Sequence, residues 1–581
     1  MLRKEVQVER PSRWDVPLDD QLTSALVDRM LQIPPFSRMD ADRFPASCPL
    51  RGILQNDTRI VSCKPGDLIV REGDYGNSAF MLITGTVVVT LDPLPAELIG
   101  RPKQQRWRKF IKLLRHLRRP RFAEVRQAIH DATTRLGQRH NGAQTQLFLQ
   151  DVPGILNRHR TLQIRPGEFF GEIAALARTQ RTASVIATHP AQLLEIRWQG
   201  LRDLMKYAPK LRQHIEELYR QNSLSTHLRQ TPLFAQLDKA QLKRVCEATQ
   251  FETFGNFEWN QPYQKLQQAS INERIAAEPM IAEEGNTPNG LILIRNGFAR
   301  RSEACGVSHR TVSYLGKGQA FGLEELYHQW KTGEAASLRH SLRAVGYVDV
   351  LRIPTDLVEQ LVFQRMPAAE RTKLEKATEN WQRAPANNIA TSVAKPHQAS
   401  CAELPTSMLE FIVDQRLMNG TQTMVIHLDR CTRCDDCVRA CSDAHDNNPR
   451  FVRDGVVFNR QMFASACMHC TDPVCMIGCP TGAIARDESS GAIVIQDLTC
   501  IGCSTCANSC PYQAIRMVPI RDGKGQLIVD EQVQSPLLKA TKCDLCNDLL
   551  GGPVCQRACP HDALARIDLT KPDELAQWIA R

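Results

Sequence analysis

Residues 500–511 read CIGCSTCANSCP, and the cysteine spacing in this stretch decides the fold of the C-terminal part of the chain. The spacing C-x2-C-x2-C-x3-C is that of cubane iron–sulfur ligation, where three cysteines bind one cluster and the fourth binds the other cluster of a pair. Soft thiolates suit this chemistry. Structural zinc sites instead use two cysteine pairs separated by a longer spacer. The stretch therefore predicts [4Fe–4S] ligation rather than zinc.

Three further groups of four cysteines share this arrangement, since in every group the fourth cysteine comes four positions after the third. The four groups hold sixteen of the 21 cysteines. In a long chain without an export signal, such clustering favours metal binding over disulfides. The predicted metal ligands are Cys431, Cys434, Cys437, Cys441, Cys467, Cys470, Cys475, Cys479, Cys500, Cys503, Cys506, Cys510, Cys543, Cys546, Cys555 and Cys559.

Length and composition indicate several globular domains. A chain of 581 residues, 42% hydrophobic and 23% charged, is too long for one compact core. No apolar run approaches the roughly 20 residues that a transmembrane helix needs, and the N-terminal sequence has no export signal. We expect a cytoplasmic protein with no transmembrane segment, and leave a homo-oligomeric state open.

The net charge of +10 would by itself suggest nucleic-acid binding. Ten Lys and Arg residues fall between Arg101 and Arg121, inside one segment. Thiolates bound to iron–sulfur clusters would also offset much of the positive charge. We therefore expect no nucleic-acid binding.

An internal repeat organises the first four hundred residues. The stretch IPPFSRMD (33–40) recurs as TPLFAQLD (231–238), and REGDYGNSAFMLITG (71–85) recurs as EEGNTPNGLILIRNG (283–297). Short apolar runs between glycine turns predict strands, and each copy ends in a helical pattern. The sequence predicts a multidomain α+β protein with two jelly-roll-like β-rolls, at 33–222 and 223–378, after an N-terminal helical lead at 1–32.

Two segments interrupt this plan. The first roll carries an insertion at about 93–155 with a basic amphipathic helix candidate, RWRKFIKLLRHLRRPRF, and a more mixed helical segment after Pro120. It is interpreted as a docking surface, as a contact with acidic partners or lipid headgroups, or equally as a solvated helical hairpin that decorates the domain. An Ala/Asn/Pro/Ser-rich stretch predicts a linker at 379–415, followed by the cysteine module at 416–575.

Residues 167–185, GEFFGEIAALARTQRTASV, have the chemistry of a sugar-phosphate site. Gly171 allows a close backbone approach, and the N–H groups of Ile173 and Ala174 would open a helix towards a phosphate. Glu172 can accept a hydrogen bond from a ribose hydroxyl, and Arg181 can donate two hydrogen bonds to the phosphate.

The second copy departs from this pattern. Leu323 replaces the Glu after Phe321-Gly322. The nearest candidate for the phosphate-binding Arg is Arg339, which comes 17 positions after Gly322, whereas Arg181 comes 10 positions after Gly171. Glu324 and Arg339 could restore a site, but the favoured interpretation is a degenerate packing or interface module.

The combination FGEIAAL-x4-RTASV resembles the phosphate-binding cassette of cyclic nucleotide-binding domains in catabolite activator proteins, cyclic-nucleotide kinases and gated channels. The resemblance implies a β-roll with cAMP or cGMP as a regulatory ligand. Thr182 resembles members that accept cGMP, because a hydroxyl there can meet the guanine. The segment Leu201–Tyr219 is similar to the helix that moves upon binding in this family.

The cysteine module resembles iron–sulfur subunits of the dimethyl-sulfoxide-reductase superfamily and of formate dehydrogenase and hydrogenase complexes. The resemblance lies in the segments VIHLDRCTRCDDC, FASACMHCTDPVCMIGCPTGAI, CIGCSTCANSCPYQAI and KATKCDLC. This resemblance, over roughly 420–570, implies two ferredoxin-like halves and four [4Fe–4S] clusters. It also implies that each group's first three cysteines share a cluster with one distant cysteine: Cys431, Cys434 and Cys437 with Cys559; Cys543, Cys546 and Cys555 with Cys441; Cys467, Cys470 and Cys475 with Cys510; and Cys500, Cys503 and Cys506 with Cys479.

The leading hypothesis is an electron-transfer subunit of a cytoplasmic oxidoreductase, regulated by a cyclic nucleotide and without a catalytic site of its own. Its expected partner is a molybdopterin, NiFe or flavin catalytic subunit, together with an electron donor or acceptor. Two alternatives stay open. One is a redox- and nucleotide-sensing regulator, and the other keeps the electron relay with both rolls as docking scaffolds without ligand.

Overall fold

A computed structural model shows the arrangement of the chain. The residues that it describes are 6–8, 13–90, 94–95, 137–141, 144–148, 152, 159–177, 180–222, 224, 228–229, 231–255, 259–305, 308–366, 368–383, 404–445, 447–488, 490–497, 499–520, 527–546, 549 and 551–581. Within these ranges no helix is both long enough and apolar enough to cross a membrane.

The chain divides into two compact units. One unit is Pro17–Ile215, which contains the first roll. The other combines Met1–Val16 with Glu216–Arg581 and therefore contains both the second roll and the cysteine module.

The first roll consists of two four-stranded sheets. In spatial order their strands are Leu68–Val70, Val185–Ala187, Val87–Thr90 and Thr161–Ile164, and Thr58–Cys63, Ala191–Arg197, Ser78–Thr84 and Phe169–Phe170. Alternating apolar residues such as Leu82, Val87 and Leu193 fill the space between them. The flanking helices are Ser24–Leu31, Leu50–Asp57, Glu172–Ala177, Trp198–Tyr207 and Pro209–Asn222.

The second roll has the same strand plan with longer strands. Its sheet contains, in spatial order, the strands Gln250–Gly255, Ser341–Ile353, Leu291–Cys305 and Ser308–Leu315. Two further short strands, Met280–Ala282 and Ala320–Phe321, pair with the two central strands. The α-helices are Lys239–Ala248, Asn260–Leu266, Ile271–Ala276, Leu323–Thr332, Thr355–Leu357 and Ala368–Arg383, and Val358–Val362 is a π-helix. The capping box of Asp238 and Gln241 starts the first of them.

Matched glycines mark the repeat in both rolls. Gly85 and Gly297 have φ of 95° and 82°, in the left-handed region. A Cβ would lie 2.2 Å from the carbonyl oxygen of Pro190 at Gly85, and 2.0 Å from that of Tyr347 at Gly297. Only glycine fits this turn, so its recurrence in the sequence reports a shared backbone.

The cysteine module is built around the sheet of Gly455–Phe458, Gln461–Ala464, Thr423–His427 and Leu564–Ile567. Two hairpins flank it, Ile484–Arg486 with Ile493–Ile495 and Arg516–Pro519 with Leu538–Thr541. A short helix carries the third cysteine of each group: Asp436–Asp443, Val474–Ile477, Thr505–Ser509 and Val554–Arg557. The helices Thr406–Asp414 and Pro572–Ile579 extend the module on both sides.

The predicted helical lead at 1–32 is wrong for its first part. Val6–Val8 is a strand that pairs in parallel with Ile528–Asp530 of the cysteine module, and the α-helix begins only at Ser24. The β-branched Val6 and Val8 suit a strand, but the partner that fixes them lies more than 500 residues away.

The predicted linker at 379–415 is too long at both ends. Ala368–Arg383 continues as a helix into it, and Thr406–Asp414 forms a helix at its end. Met408, Ile412 and Val413 recur at helical spacing and are buried, so this segment belongs to the core of the module. Residues 384–403 lie outside the described residues.

The basic helix predicted within 93–155 also lies outside the described residues. The mixed helical segment predicted after Pro120 falls, up to residue 136, on residues outside the described ones. Where the insertion is described, Gly137–Asn141 and Gln144–Phe148 form a β-hairpin. The sequence contained a signal for it, because Asn141-Gly142 is a strong hairpin dipeptide.

The second roll packs directly on the cysteine module through a segment that the first roll lacks. Four residues, 64–67, join Thr58–Cys63 to Leu68–Val70 in the first roll, whereas 24 residues, 256–279, join Gln250–Gly255 to Met280–Ala282 in the second. We call residues 256–279 the second-roll insert; the structure describes it from residue 259.

The second-roll insert contacts the loop that carries two predicted ligands. The indole N–H of Trp259 donates to Asp472 Oδ2 at 3.0 Å, and Trp259 and Tyr263 pack against Val474. Asp472 and Val474 lie between Cys470 and Cys475. The predicted packing module thus has a specific neighbour, the ligand loop of the second cysteine group.

Candidate metal centres and nucleotide pocket

The structure brings the sixteen cysteines together as four sets. Each set joins three cysteines of one group to the fourth cysteine of another. We call them set A (Cys431, Cys434, Cys437, Cys559), set B (Cys543, Cys546, Cys555, Cys441), set C (Cys467, Cys470, Cys475, Cys510) and set D (Cys500, Cys503, Cys506, Cys479).

Sets A and D each line a recess of their own. The recess of set A is completed by Arg453 and His561, and that of set D by Ile495 and Met517. Burial raises the pKa of Cys437 to about 11, with contributions from Cys431 and Cys559. It raises the pKa of Cys506 to about 12, with contributions from the other three cysteines of set D.

Sets B and C are recognised in the same way, because the cysteines of each set raise one another's pKa. Burial, and then Cys543 and Cys546, raise the pKa of Cys441 in set B. In set C, burial and then Cys467, Cys475 and Cys510 raise the pKa of Cys470 well above the ordinary value. Four buried thiols facing one another are poor anions alone, whereas bound metal ions deprotonate thiols outright.

The loop around each set is built in the same way. The residue before the second cysteine of every group has a left-handed backbone, with φ of 61° at Arg433, 49° at His469, 67° at Gly502 and 62° at Leu545. This turn brings the first two thiols of each group to the same side of the chain. Only Gly502 is a residue type that favours this conformation, so no uniform signal for the turn exists in the sequence.

Backbone amides point at the fourth cysteine in three of the sets. The N–H groups of Ala514, Ala563 and Arg450 donate to Cys510 Sγ at 3.4 Å, Cys559 Sγ at 3.4 Å and Cys441 Sγ at 3.3 Å. Amide donors to sulfur stabilise negative charge on a thiolate-bound cluster. The thiol sets and their donors therefore fit [4Fe–4S] clusters.

Two cations lie around Cys543 that the cysteine spacing does not predict. The Arg566 guanidinium donates from Nη2 to Cys543 Sγ at 3.0 Å, and the buried Lys542 ammonium donates to the carbonyl of Cys543 at 3.1 Å. Burial would raise the pKa of Cys543, but Arg566 and neighbouring donors hold it below the ordinary thiol value. No spacing pattern in the sequence identifies Arg566, because its partners Gln422, Cys467 and Cys543 are distant in sequence.

The predicted phosphate cassette of the first roll is built around Gly171 and Glu172. Gly171 has a φ of 76°, and the helix Glu172–Ala177 begins directly after it. This helix contains Ile173 and the buried Ala174. Thr182 is exposed.

Glu172 is a buried carboxyl without a hydrogen-bond partner at Oε2 among the described residues. Burial raises its pKa to about 7. An unmatched buried acceptor costs free energy, so a ligand hydroxyl that donates to it would be favourable.

Arg181 is buried beside Gly171 of the same cassette. Its Nη1 donates to the carbonyl oxygen of Gly171, and its Nη2 donates to that of Ser78 at 2.7 Å. Its backbone N–H donates a hydrogen bond to the carbonyl of Asp74, and its carbonyl accepts one from the N–H of Gly73. Glu172 and Arg181 are thereby brought together, as the sequence predicts for a sugar-phosphate site.

The second roll lacks this pair at the matching positions. Leu323 follows Gly322, and the buried Glu325 Oε1 accepts the backbone N–H of Arg339 at 3.3 Å. Glu324 Oε2 lies 3.8 Å from Nη2 of Arg301, which also lies 3.1 Å from His340 Nδ1. Burial and the cations Arg301 and Arg339 lower the pKa of His340 to about 4.

Comparisons with known families match both parts of the chain. The family described as a cyclic nucleotide-binding domain matches residues 156–208, and families described as 4Fe-4S dicluster domains match 458–527 and 499–565. These matches confirm both family resemblances and the predicted fold class.

Three curated relatives from Escherichia coli (strain K12) are similar to the cysteine module. Electron transport protein HydN is 34% identical over 168 residues, which are 26% of this chain and 91% of that protein. Hydrogenase-4 component A is 34% identical over 161 residues, 24% of this chain and 78% of that protein. The B subunit of anaerobic dimethyl sulfoxide reductase is 32% identical over 170 residues, 26% of this chain and 73% of that protein.

Proposed function

The chain belongs to the family of 4Fe–4S dicluster electron-transport proteins, and from this premise we propose that it relays single electrons through four [4Fe–4S] clusters within an oxidoreductase complex. The observation that carries the proposal is the grouping of sixteen cysteines into four complete sets. Clusters held there would supply one-electron carriers, while substrate chemistry takes place on a partner subunit.

Contacts between the sets suggest the order A–B–C–D. Buried residues of sets A and B share one hydrophobic cluster that contains Cys437, Cys441 and Cys555. Cys467 of set C and Cys543 of set B share another. Cys506 of set D is close enough to Cys475 of set C to contribute to the raised pKa of that thiol. Sets A and D therefore lie at the two ends.

The end sets are the ones open to solvent. Cys434 of set A and Cys503 of set D are exposed, whereas every cysteine of sets B and C is buried or partly buried. Electrons would enter at one end set and leave at the other. We propose a catalytic subunit of molybdopterin, NiFe or flavin type as the partner, since two relatives are by name components of a hydrogenase and of a dimethyl sulfoxide reductase.

A mediated electron titration of the anaerobically purified chain tests the relay. Reduction to completion should take up about four electrons per chain, one for each cluster. Uptake of two electrons or fewer by a chain with its full iron content would contradict the proposal.

The first roll binds a cyclic mononucleotide that regulates the relay. The unmatched Oε2 of buried Glu172 beside Arg181 supports this, since one can accept from the ribose and the other can pair with the phosphate. Regulation requires that the nucleotide binds two states of the protein unequally. Calorimetry with cAMP and cGMP should give binding to one or both. No heat with either would leave the roll as a scaffold.

A cytoplasmic location fits the cysteine chemistry. The four described cysteines outside the sets, Cys48, Cys63, Cys246 and Cys305, form no disulfide. Free thiols and thiolate-bound clusters persist in a reducing compartment. Fractionation of cells that express the tagged chain would test the location.

A further inference from the structure

One guanidinium joins two cysteine sets that exchange no ligand. Arg566 lies on the strand Leu564–Ile567, at the edge of the central sheet of the module. Its Nη2 donates to Cys543 Sγ of set B at 3.0 Å. Its Nη1 donates to the backbone carbonyl of Cys467 of set C at 3.0 Å, and to that of Gln422 at 2.7 Å. The side chain is thus fixed by three hydrogen bonds across the gap between B and C.

This gap is the step between the two halves of the module. Sets A and B are tied because the first and last groups exchange Cys441 and Cys559, and sets C and D are tied because the inner groups exchange Cys479 and Cys510. No such exchange links B to C. Cys467 and Cys543 nevertheless lie in one buried cluster with Ala514, so the two sets are neighbours at this point.

The charge of Arg566 acts at a place where water screens it little. Its Nε is buried, and Cys467 and Cys543 are buried. A fixed positive charge in such surroundings interacts more strongly with nearby negative charge than it would at the surface. When a cluster accepts an electron its thiolate sulfurs become more negative, and a hydrogen bond to sulfur from a cation favours that reduced state.

We propose that Arg566 raises the reduction potential of the cluster held by set B and so determines the driving force of the step between sets B and C. Each transfer removes one electron from one cluster and adds it to the next, so the guanidinium stabilises the state in which set B carries the electron. The inference rests on the proposed function, because it needs a cluster in both sets.

Redox-poised electron paramagnetic resonance of the full chain tests this role. Arg566→Gln removes the charge and keeps hydrogen-bonding capacity, and Arg566→Lys keeps the charge without the fork. The control is Arg460→Gln in the same module, whose side chain is 75% exposed and pairs with Asp429. It makes the same change in net charge at a solvated position.

At a fixed ambient potential, Arg566→Gln should lower the reduced-to-oxidised ratio of one cluster about tenfold, which is about 59 mV for a one-electron couple. Arg566→Lys should shift that ratio less, and Arg460→Gln should leave all clusters unchanged. The expected iron content is about sixteen per chain in all three variants.

Two results would overturn the inference. One is an unchanged set of potentials in Arg566→Gln with the iron retained. The other is loss of one cluster from both Arg566 variants, which would assign the side chain a purely structural role. A wild-type chain with fewer than four clusters would instead refute the proposed function, and iron analysis separates the two failures.

Discussion

The two β-rolls share one strand plan but differ in one crossover connection and in the side chains of the phosphate cassette. The first roll has a four-residue crossover at 64–67 and keeps Glu172 and Arg181 together in its cassette. The second has the 24-residue insert at 256–279 and Leu323 in place of the Glu. The two copies of one roll therefore differ in chemistry: one holds the Glu and Arg that a phosphate site needs, and the other presents a surface that packs on the cysteine module.

The second-roll insert ends in a buried ionic network. Glu278 accepts two hydrogen bonds from Arg300, at 2.8 and 2.9 Å, and lies 3.7 Å from Arg416 of the cysteine module. The guanidinium of Arg416 also lies over the rings of Trp259 and Tyr263. The carboxylate is therefore the anion that two buried cations share.

Neutralising this carboxylate should have the largest effect on stability. Glu278→Gln leaves Arg300 and Arg416 without their anion, and such a loss costs about 3–5 kcal/mol of unfolding free energy. Glu252→Gln, which breaks the more exposed bidentate pair with Arg352 in the same roll, should cost about 1 kcal/mol or less. Urea unfolding followed by cluster absorbance measures both. Equal costs would show that the second roll does not stabilise the module through Glu278.

The buried carboxyl of the first roll should make its stability depend on pH. Because burial raises the pKa of Glu172 to about 7 from 4.5, the folded protein holds a proton that the unfolded chain has lost. Stability should therefore fall as the pH rises from about 4.5 to 7, by about 3 kcal/mol in total.

Unfolding of the first roll at pH 5 and pH 8 measures this slope. Glu172→Gln should remove most of it, whereas Glu168→Gln, at a partly exposed neighbour, should preserve it. An identical slope in the wild type and Glu172→Gln would mean that the carboxyl is not buried in solution.

Arginines at the two cassettes should differ in their effect on nucleotide binding. Arg181→Ala removes a charged donor to the phosphate, which is expected to weaken binding by about 100-fold. Arg339→Ala in the second roll should leave the affinity unchanged, because that roll has no Glu at the position after Gly322. Calorimetry measures both, and a comparable loss in Arg339→Ala would place a site in the second roll.

The smallest effect is expected at Thr182. Its exposed hydroxyl can donate one hydrogen bond to guanine, so Thr182→Ala should weaken cGMP by about 2–10-fold and leave cAMP unaffected. Competition between the two nucleotides measures the ratio. A change of equal size for both would remove Thr182 from purine selection.

The sequence was sufficient for features that local spacing determines. The cysteine groups predicted the four sets through the resemblance that they carry, and Gly85 with Gly297 marked the repeat because no other residue fits that turn. The strand Val6–Val8 and the contact of Trp259 with Asp472 could not be predicted. Their partners are distant in sequence, so propensity alone could not identify them.

The presence of four [4Fe–4S] clusters is tested most directly by the iron and acid-labile sulfide per chain, measured on anaerobically prepared protein together with its reduced paramagnetic resonance spectrum. We expect about sixteen irons and sixteen sulfides, with reduced signals from four cubane clusters. Four zinc ions per chain, or eight irons with half of the cysteines titratable as thiols, would contradict this expectation.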